Sequence, residues 1–559
     1  MPSATTTDTQ TFSGLVADVV HDRIFPGNIT VRDGRIAGVE SDAGARKDRV
    51  LTPGFVDAHV HVESSLLTPA AFGRAAAVHG TVATVSDPHE IANVLGVPGV
   101  LWMLENAKGS PVSIHFGAPS CVPATPFETA GAAFGAAEVE RLLSRPDIGY
   151  LAEVMNFPGV LAGDPKMLAI LEVARRLGKA IDGHAPGLVG EGLARYAAAG
   201  IQTDHECVTL EEARQRAALG MFVAIREGSA ARNFDALAPL LRERPERCFL
   251  CSDDKHPDDL VEGHINRLVA RAIASGARPM DALRAATLNP VRHYRLGCGL
   301  LRPGDSADFA VLEDLETCRA LETWIGGRRV AAGGRCEAPA PEPPAPEKCP
   351  NNFARGPVAA EDFALPWGQA AAPRVRAIVA LDGQLLTREE ITEATVRGGA
   401  LVADAGRDLL KIAVVNRYEG TARPAVGFIK NFGLRRGAMA SSVAHDSHNI
   451  VAVGADDFSL AAAVNAVVAH GGGLSFAADW AGRAETLPLP VAGLMSNGEC
   501  ADVAAAFTRL TAAARGAGCA LRSPYMTLSF MALLVIPKLK IGDKGLFDVD
   551  RFAPAGLLV

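Results

Sequence analysis

The chain has 559 residues, 48% hydrophobic and 21% charged, with a formal net charge of -8. That length exceeds one ordinary core and predicts two or more domains, while the acidic balance argues against a nucleic-acid partner. Ten cysteines in so long a chain make no disulfide framework and read as small buried hydrophobes of a reducing compartment.

The first 15 residues lack the basic start and apolar core of a secretory signal. No apolar run is long enough to span a bilayer, and the best, Ser529 to Pro537, ends at its proline. The expectation is a cytoplasmic protein with no membrane partner. Residues 12–51 alternate short β-prone runs with turns such as Asp33-Gly34. From residue 52 the rhythm becomes strand, loop, helix, with strands beginning near Phe55, Thr81, Val112, Tyr150, Ala180, Ile201, Met221 and Cys248. Several helices announce their own starts. Thr68-Pro69 and Asp164-Pro165 place proline at the first helical position, and Thr209-Leu-Glu-Glu212 reads as a capping box. Repeated β and α units predict an α/β fold, a (β/α)8 TIM-like barrel over residues 52–303, with its active site at the C-terminal strand ends. Residues 304–335 return to strands such as ADFAVLED and TWIGGRRV. Neither they nor residues 12–51 bury a core alone, so the two sets are expected to form one small composite β domain. Residues 336–351 form a proline-rich, extended linker, and residues 352–559 a C-terminal α+β domain.

The strongest local signal is Pro53-Gly-Phe-Val-Asp57-Ala-His59-Val-His61. Plain strand alternation puts Phe55, Asp57, His59 and His61 on one face, leaving Val56, Ala58, Val60 and Val62 to pack against helices. Two imidazoles so placed suit ligation of one metal. Later strand ends supply partners: Glu153, His184, His205 and Asp253. Any one of them alone reads as a capping or solvated group. With His59 and His61 they make a six-ligand set for two divalent metal ions, whose mixed nitrogen and oxygen donors suit manganese, iron or zinc. Asp87, at the end of the second strand, is a further catalytic candidate against its simpler reading as a turn cap, and His89 and Glu90 follow it. His79, His115, His256, His264 and His293 read as structural. His445-Asp446-Ser-His448 reads as a polar loop over the barrel mouth or a domain contact rather than a metal site. His61-Val-Glu63 with Cys248-Phe-Leu-Cys251 imitates a zinc deaminase signature, but Arg247 stands where proline belongs and the two cysteines face opposite sides of a strand.

The chain resembles the amidohydrolase superfamily in these strand ends, in Ala286-Thr-Leu-Asn289-Pro290 and in Gly304-Asp-Ser-Ala-Asp308. Within it, PGFVDAHVHVESSLLTP, VSDPHEIANVLG, AEVMNFPGV, DGHAPGL, TDHE, CSDDKHPDDL, SSVAHDSHNIVAVG and LPVAGLMS resemble segments of the adenine deaminase family, in order. The resemblance covers about residues 12–335 and 370–559. Glu153 stands where many two-metal relatives carry a carboxylated lysine, and His184-Ala-Pro-Gly187 lacks the glutamate of adenosine-deaminase-like barrels. The resemblance implies hydrolytic deamination of the small molecule adenine to hypoxanthine and ammonia, by a metal-bridged hydroxide attacking C6, with manganese or iron favoured over zinc. Asp253 is then the candidate base, and Glu153 bridges the metals, donates near N1, or does both. A homo-oligomer such as a dimer is expected from size. Two alternatives stay open: an amidohydrolase acting on another purine-like base or cyclic amidine, and a non-catalytic assembly protein that keeps the barrel.

Overall fold

The structure is a computed structural model describing residues 9–229, 231–369, 371–479 and 483–559. Residues 1–8, part of the stretch read for a signal, lie outside the described residues. The barrel strands are β1 (Phe55–Val60), β2 (Thr81–Ser86), β3 (Ser113–Ala118), β4 (Ile148–Val154), β5 (Ala180–Gly183), β6 (Thr203–Asp204), β7 (Phe222–Arg226) and β8 (Cys248–Cys251). β1 to β5 pair in order and in parallel, as do β6 to β8. Two seams close the ring. Gln202 N donates to Ile181 O at 2.9 Å between β5 and β6, and Asp253 N donates to His59 O at 2.9 Å between β8 and β1. The barrel interior is filled by Ala58, Val85, Tyr150, Ala152, Ala224, Phe249, Cys251 and Tyr294, so it is a packed core and not a pore.

The start signals act as the sequence suggests, with two corrections. Helix Pro165–Arg176 follows Asp164, whose side chain accepts from Lys166 N, and helix Leu210–Ala218 follows Thr209, whose hydroxyl accepts from Glu212 N. The return arm of that box differs, because the Glu212 carboxylate accepts from Val208 N rather than from Thr209 N. Helix Pro69–Ala77 begins after Thr68, but Thr68 makes no side-chain cap bond and the proline alone sets the start.

The alternation expected for the first strand is also corrected. Asp57 pairs with Thr84 and Val60 with Ser86, so β1 carries one extra residue against β2. Such a bulge re-aims the side chains beyond it. Ala58 therefore faces the barrel interior, and Asp57 turns outward to accept from His264 Nε2 at 2.8 Å. His59 and His61 are swung over the mouth. β4 repeats the device between Leu151 and Val154, which brings Glu153 to the mouth although Tyr150 and Ala152 already point inward.

Strands on either side of the barrel form one eight-stranded sheet. In it Val50–Pro53 lies between Thr9–Asp18 and Phe309–Leu312. The proline-rich segment runs along the surface, held where the Arg74 guanidinium reaches Ala338 O and Asn497 Nδ2 donates to Pro344 O at 2.9 Å. Beyond it a second eight-stranded sheet carries helix Asp457–Ala469, and helix Cys500–Gly516 packs on helix Pro257–Glu262 of the barrel. One buried apolar cluster runs from Phe72 and Ile91 of the barrel into Val443 and Met495 of this second unit, so the two share a core. Among the described residues no helix is long and apolar enough to cross a membrane.

Candidate metal centre and active site

All six predicted ligands meet at the C-terminal mouth of the barrel, each no more than 5% exposed. On one side His59 Nε2 stands 3.2 Å from His61 Nε2, and Asp253 Oδ1 stands 3.5 and 3.3 Å from the same two nitrogens. On the other, Glu153 Oε2 is 3.0 Å from both His184 Nδ1 and His205 Nε2. Glu153 also reaches back, with Oε1 3.7 Å from His61 Nε2, and so lies between the two groups. Ligand atoms about 2.1 Å from a shared cation stand roughly 3.0–3.5 Å from one another. The first group meets that spacing. Two imidazole nitrogens converging with a carboxylate oxygen at these separations, all buried, make a donor set that fits a divalent cation.

The electrostatics agree. Burial opposes charge on Glu153, but the His184 and His205 rings hold its carboxyl well below the usual range. Burial opposes charge on His205 as well, and Glu153 still raises it well above an ordinary imidazole. A pocket that favours a proton on a buried ring also favours a metal cation there. Behind the donors stands a second layer. Ser252 N donates to Asp57 Oδ1 at 3.0 Å, and His61 Nδ1 faces Asp87 O at 3.2 Å, which aims Nε2 into the site. Asp253 adopts a left-handed backbone (φ 53°), a conformation that costs free energy for a residue with a side chain.

The predicted catalytic residues are close by. His89 Nδ1 lies 3.4 Å from Glu153 Oε1 and 3.1 Å from Asp87 Oδ2. Asp87 also accepts from His89 N at 3.0 Å, so the turn cap and the site contact coexist. The histidines read as structural lie away from the donors. His264 holds Asp57, His79 reaches Leu260 O, His115 stacks on Tyr150, His293 packs on Phe222, and His256 packs on Phe507. Cys248 and Cys251 join different apolar clusters, as opposite strand faces require.

Two residues were not singled out from sequence. Arg226, ending β7, donates through Nη1 to Glu206 and to Asp253 Oδ2 (2.7 Å), and through Nη2 to Glu206 Oε2 (2.9 Å). Burial would raise the Asp253 carboxyl, yet Arg226 and the His59 and His61 rings hold it well below the usual carboxylate range. The available signal was an arginine closing an otherwise apolar barrel strand, Phe-Val-Ala-Ile-Arg226, where a charge must face the mouth.

Above these groups lies a pocket lined by five of the six donors (all but His59), by Glu90, Asp254 and Met155 and, from the second unit, by Leu385, His445, Asp446, Phe530, Leu533 and Ile536. The His445–His448 loop covers the mouth. Glu90 accepts from His445 Nδ1 at 2.6 Å and from His448 Nε2. Burial opposes charge on His445, but the Glu90 carboxylate raises it to about 9.

Residues 50–330 match the amidohydrolase family, and residues 384–553 match the adenine deaminase C-terminal domain. The chain is 53% identical to an adenine deaminase of Salinibacter ruber over 97% of its length and 98% of the relative's. It is 48% identical to one of Methanosarcina mazei, with 97% and 98% covered, and 51% identical to one of a Sulfurovum species, with 96% and 97% covered. Both matched domains are present in the expected order, and the chain belongs to the adenine deaminase family of amidohydrolases.

Proposed function

We propose that this chain hydrolyses adenine and water to hypoxanthine and ammonia, with His59, His61, Glu153, His184, His205 and Asp253 holding two divalent cations, manganese or iron. Such cations acidify water at neutral pH. The chain's own groups then manage the protons. Asp253 takes a proton from the water that attacks C6 and returns it to the departing amine. Arg226 keeps Asp253 ionised, the form that can accept that proton. As C6 becomes tetrahedral, N1 gains a proton from the His89 ring, which Asp87 and Glu90 keep charged against burial and Asp87 orients at 3.1 Å. The remaining proton of the C6 hydroxyl returns to His89 as the carbonyl of hypoxanthine forms. Leu385, Phe530, Leu533 and Ile536 exclude bulk water from the reacting face. A cytoplasmic setting is supported by ten free thiols.

The observation that supports this reading best is the convergence of six donors from five strand ends, with Glu153 between His59 and His61 on one side and His184 and His205 on the other, and Asp253 beside the first pair. The test is steady-state ammonia release from adenine, adenosine, guanine and cytosine by the manganese-loaded protein. Turnover confined to adenine is expected, and turnover of another base alone would replace the substrate.

A further inference from the structure

Asp446 has no role in the chemistry above, yet it is buried, 2% exposed, and lines the same cavity as Glu153 and Asp253. Its Oδ2 has no hydrogen-bond partner, and its Oδ1 stands 3.8 Å from both His89 Nε2 and His445 Nδ1, beyond hydrogen-bond reach. A buried carboxylate left unpaired is costly and calls for a donor. The neighbouring carboxylates on the wall are committed: Glu206 to Arg226, Glu90 to His445 and His448, and Asp254 to Ser64 Oγ at 2.5 Å.

Its position is fixed from both sides. His445 precedes Asp446 and His448 follows two residues later, and both rings donate to the single carboxylate of Glu90 on the barrel. His445 is held further by its stack on Phe530, at 4.2 Å between ring centroids and 16° between planes. The rest of the roof, Leu385, Leu533 and Ile536, offers no side-chain hydrogen bond. A flat aromatic base entering this pocket therefore meets hydrolytic groups on the barrel side and, on the other, an apolar roof whose unpaired polar atoms are Asp446 Oδ2 and His445 Nε2, of which only the carboxylate is an obligate acceptor.

We propose that Asp446 is a specificity residue that accepts the ring N–H of an unsubstituted purine, so that the second domain selects the free base. The proposal rests on the adenine reading above. With the six-membered ring turned toward Glu153 and Asp253, the five-membered ring carries the base's single ring N–H toward the opposite wall. A nucleoside has a sugar in place of that hydrogen when the ring is substituted at N9, and leaves the carboxylate unpaired. A site built to bond a substrate N–H rejects the analogue lacking it far more strongly than an apolar pocket could.

The experiment is calorimetric titration of the manganese-loaded full chain with purine and with 9-methylpurine, in the wild type, Asp446→Leu and Asp446→Asn, with metal content measured for each. Leucine keeps the shape and removes the acceptor, whereas asparagine retains one acceptor oxygen. Purine is expected to bind D446L about 30-fold more weakly than wild type, with D446N recovering most of the loss and metal content unchanged. The 9-methylpurine affinity, already weak, is expected to be the same in all three. Equal purine affinity in wild type and D446L, or an equal loss for purine and 9-methylpurine, overturns the proposal. Should D446L fail to fold or to load metal, a D446N that binds both ligands as wild type does, with no preference for purine in either protein, overturns it too. Because the readout is binding, a protein that holds purine through Asp446 but releases no ammonia from adenine leaves this assignment standing and removes the deaminase reading instead.

Discussion

Asp253 and Arg226 carry the most chemistry per atom in the site. Asp253 accepts from Arg226 Nη1 at 2.7 Å while its other oxygen faces two imidazoles. On the proposed mechanism, Asp253→Asn removes both a cation ligand and the proton acceptor. We expect kcat to fall by about 10³ or more, measured as ammonia release after confirming the fold by circular dichroism, and a wild-type rate would clear Asp253 of that role. Arg226→Met leaves Glu206 and Asp253 as buried, uncompensated carboxylates, at a cost of about 3–5 kcal/mol, read as a lower unfolding midpoint in urea; an unchanged midpoint would mean that the pair contributes nothing. The six donors were legible because each follows an apolar strand, where a polar residue stands out. Arg226 was not, because in a single sequence a buried arginine looks the same as a surface one until Glu206 and Asp253 are seen beside it.

At the scale of elements, the order of strands and helices was legible, and the aim of side chains within a strand was not. Period-two reasoning gave His59 and Asp57 one face, but the extra residue between Asp57 and Val60 gives them different ones. Nothing in Asp57-Ala-His59-Val60 marks a bulge, since no glycine is required and the cost is met by pairing with β2 and by Asp57 bonding His264. The bulge in β4 is equally silent in sequence, and it is what carries Glu153 from the helix layer to the mouth. The His445–His448 loop was legible as a cover but not as one bound through Glu90, because that contact joins residues more than 350 positions apart. Glu90→Gln keeps the shape and removes the charge that both rings bond. We expect KM for adenine to rise roughly tenfold and stability to fall by about 1–3 kcal/mol, checked by steady-state kinetics and urea unfolding. An unchanged KM would show that the loop is held by other contacts.

For the whole molecule, the second unit completes the site, and one buried lysine ties its roof together. Lys540 donates to Leu385 O and Phe530 O, both at 2.8 Å, and burial lowers its ammonium to about 7. In the unfolded chain that ammonium titrates near about 10.4. Between those values the unfolded state binds more protons than the folded state, so stability rises with pH across the window. Below pH 7 both states are protonated and the full penalty applies. Lys540→Met removes the penalty, on the order of 5 kcal/mol at most, and is expected to flatten the rise in Tm between about pH 7 and 10; a variant with the wild-type slope would show that Lys540 is not its source. That a proline-rich segment separates two units was legible in composition, whereas their shared core was not, because apolar residues do not name their partners. The central claim is that divalent cations caged by six side chains make this chain an adenine-hydrolysing enzyme. Its most direct test is ammonia release from adenine by one preparation, before chelation, after chelation and after re-addition of Mn(II) or Fe(II), with bound metal counted at each stage. Activity should disappear with the metal and return as about two ions per chain are restored; full turnover by metal-free protein, or none with both sites filled, would contradict it.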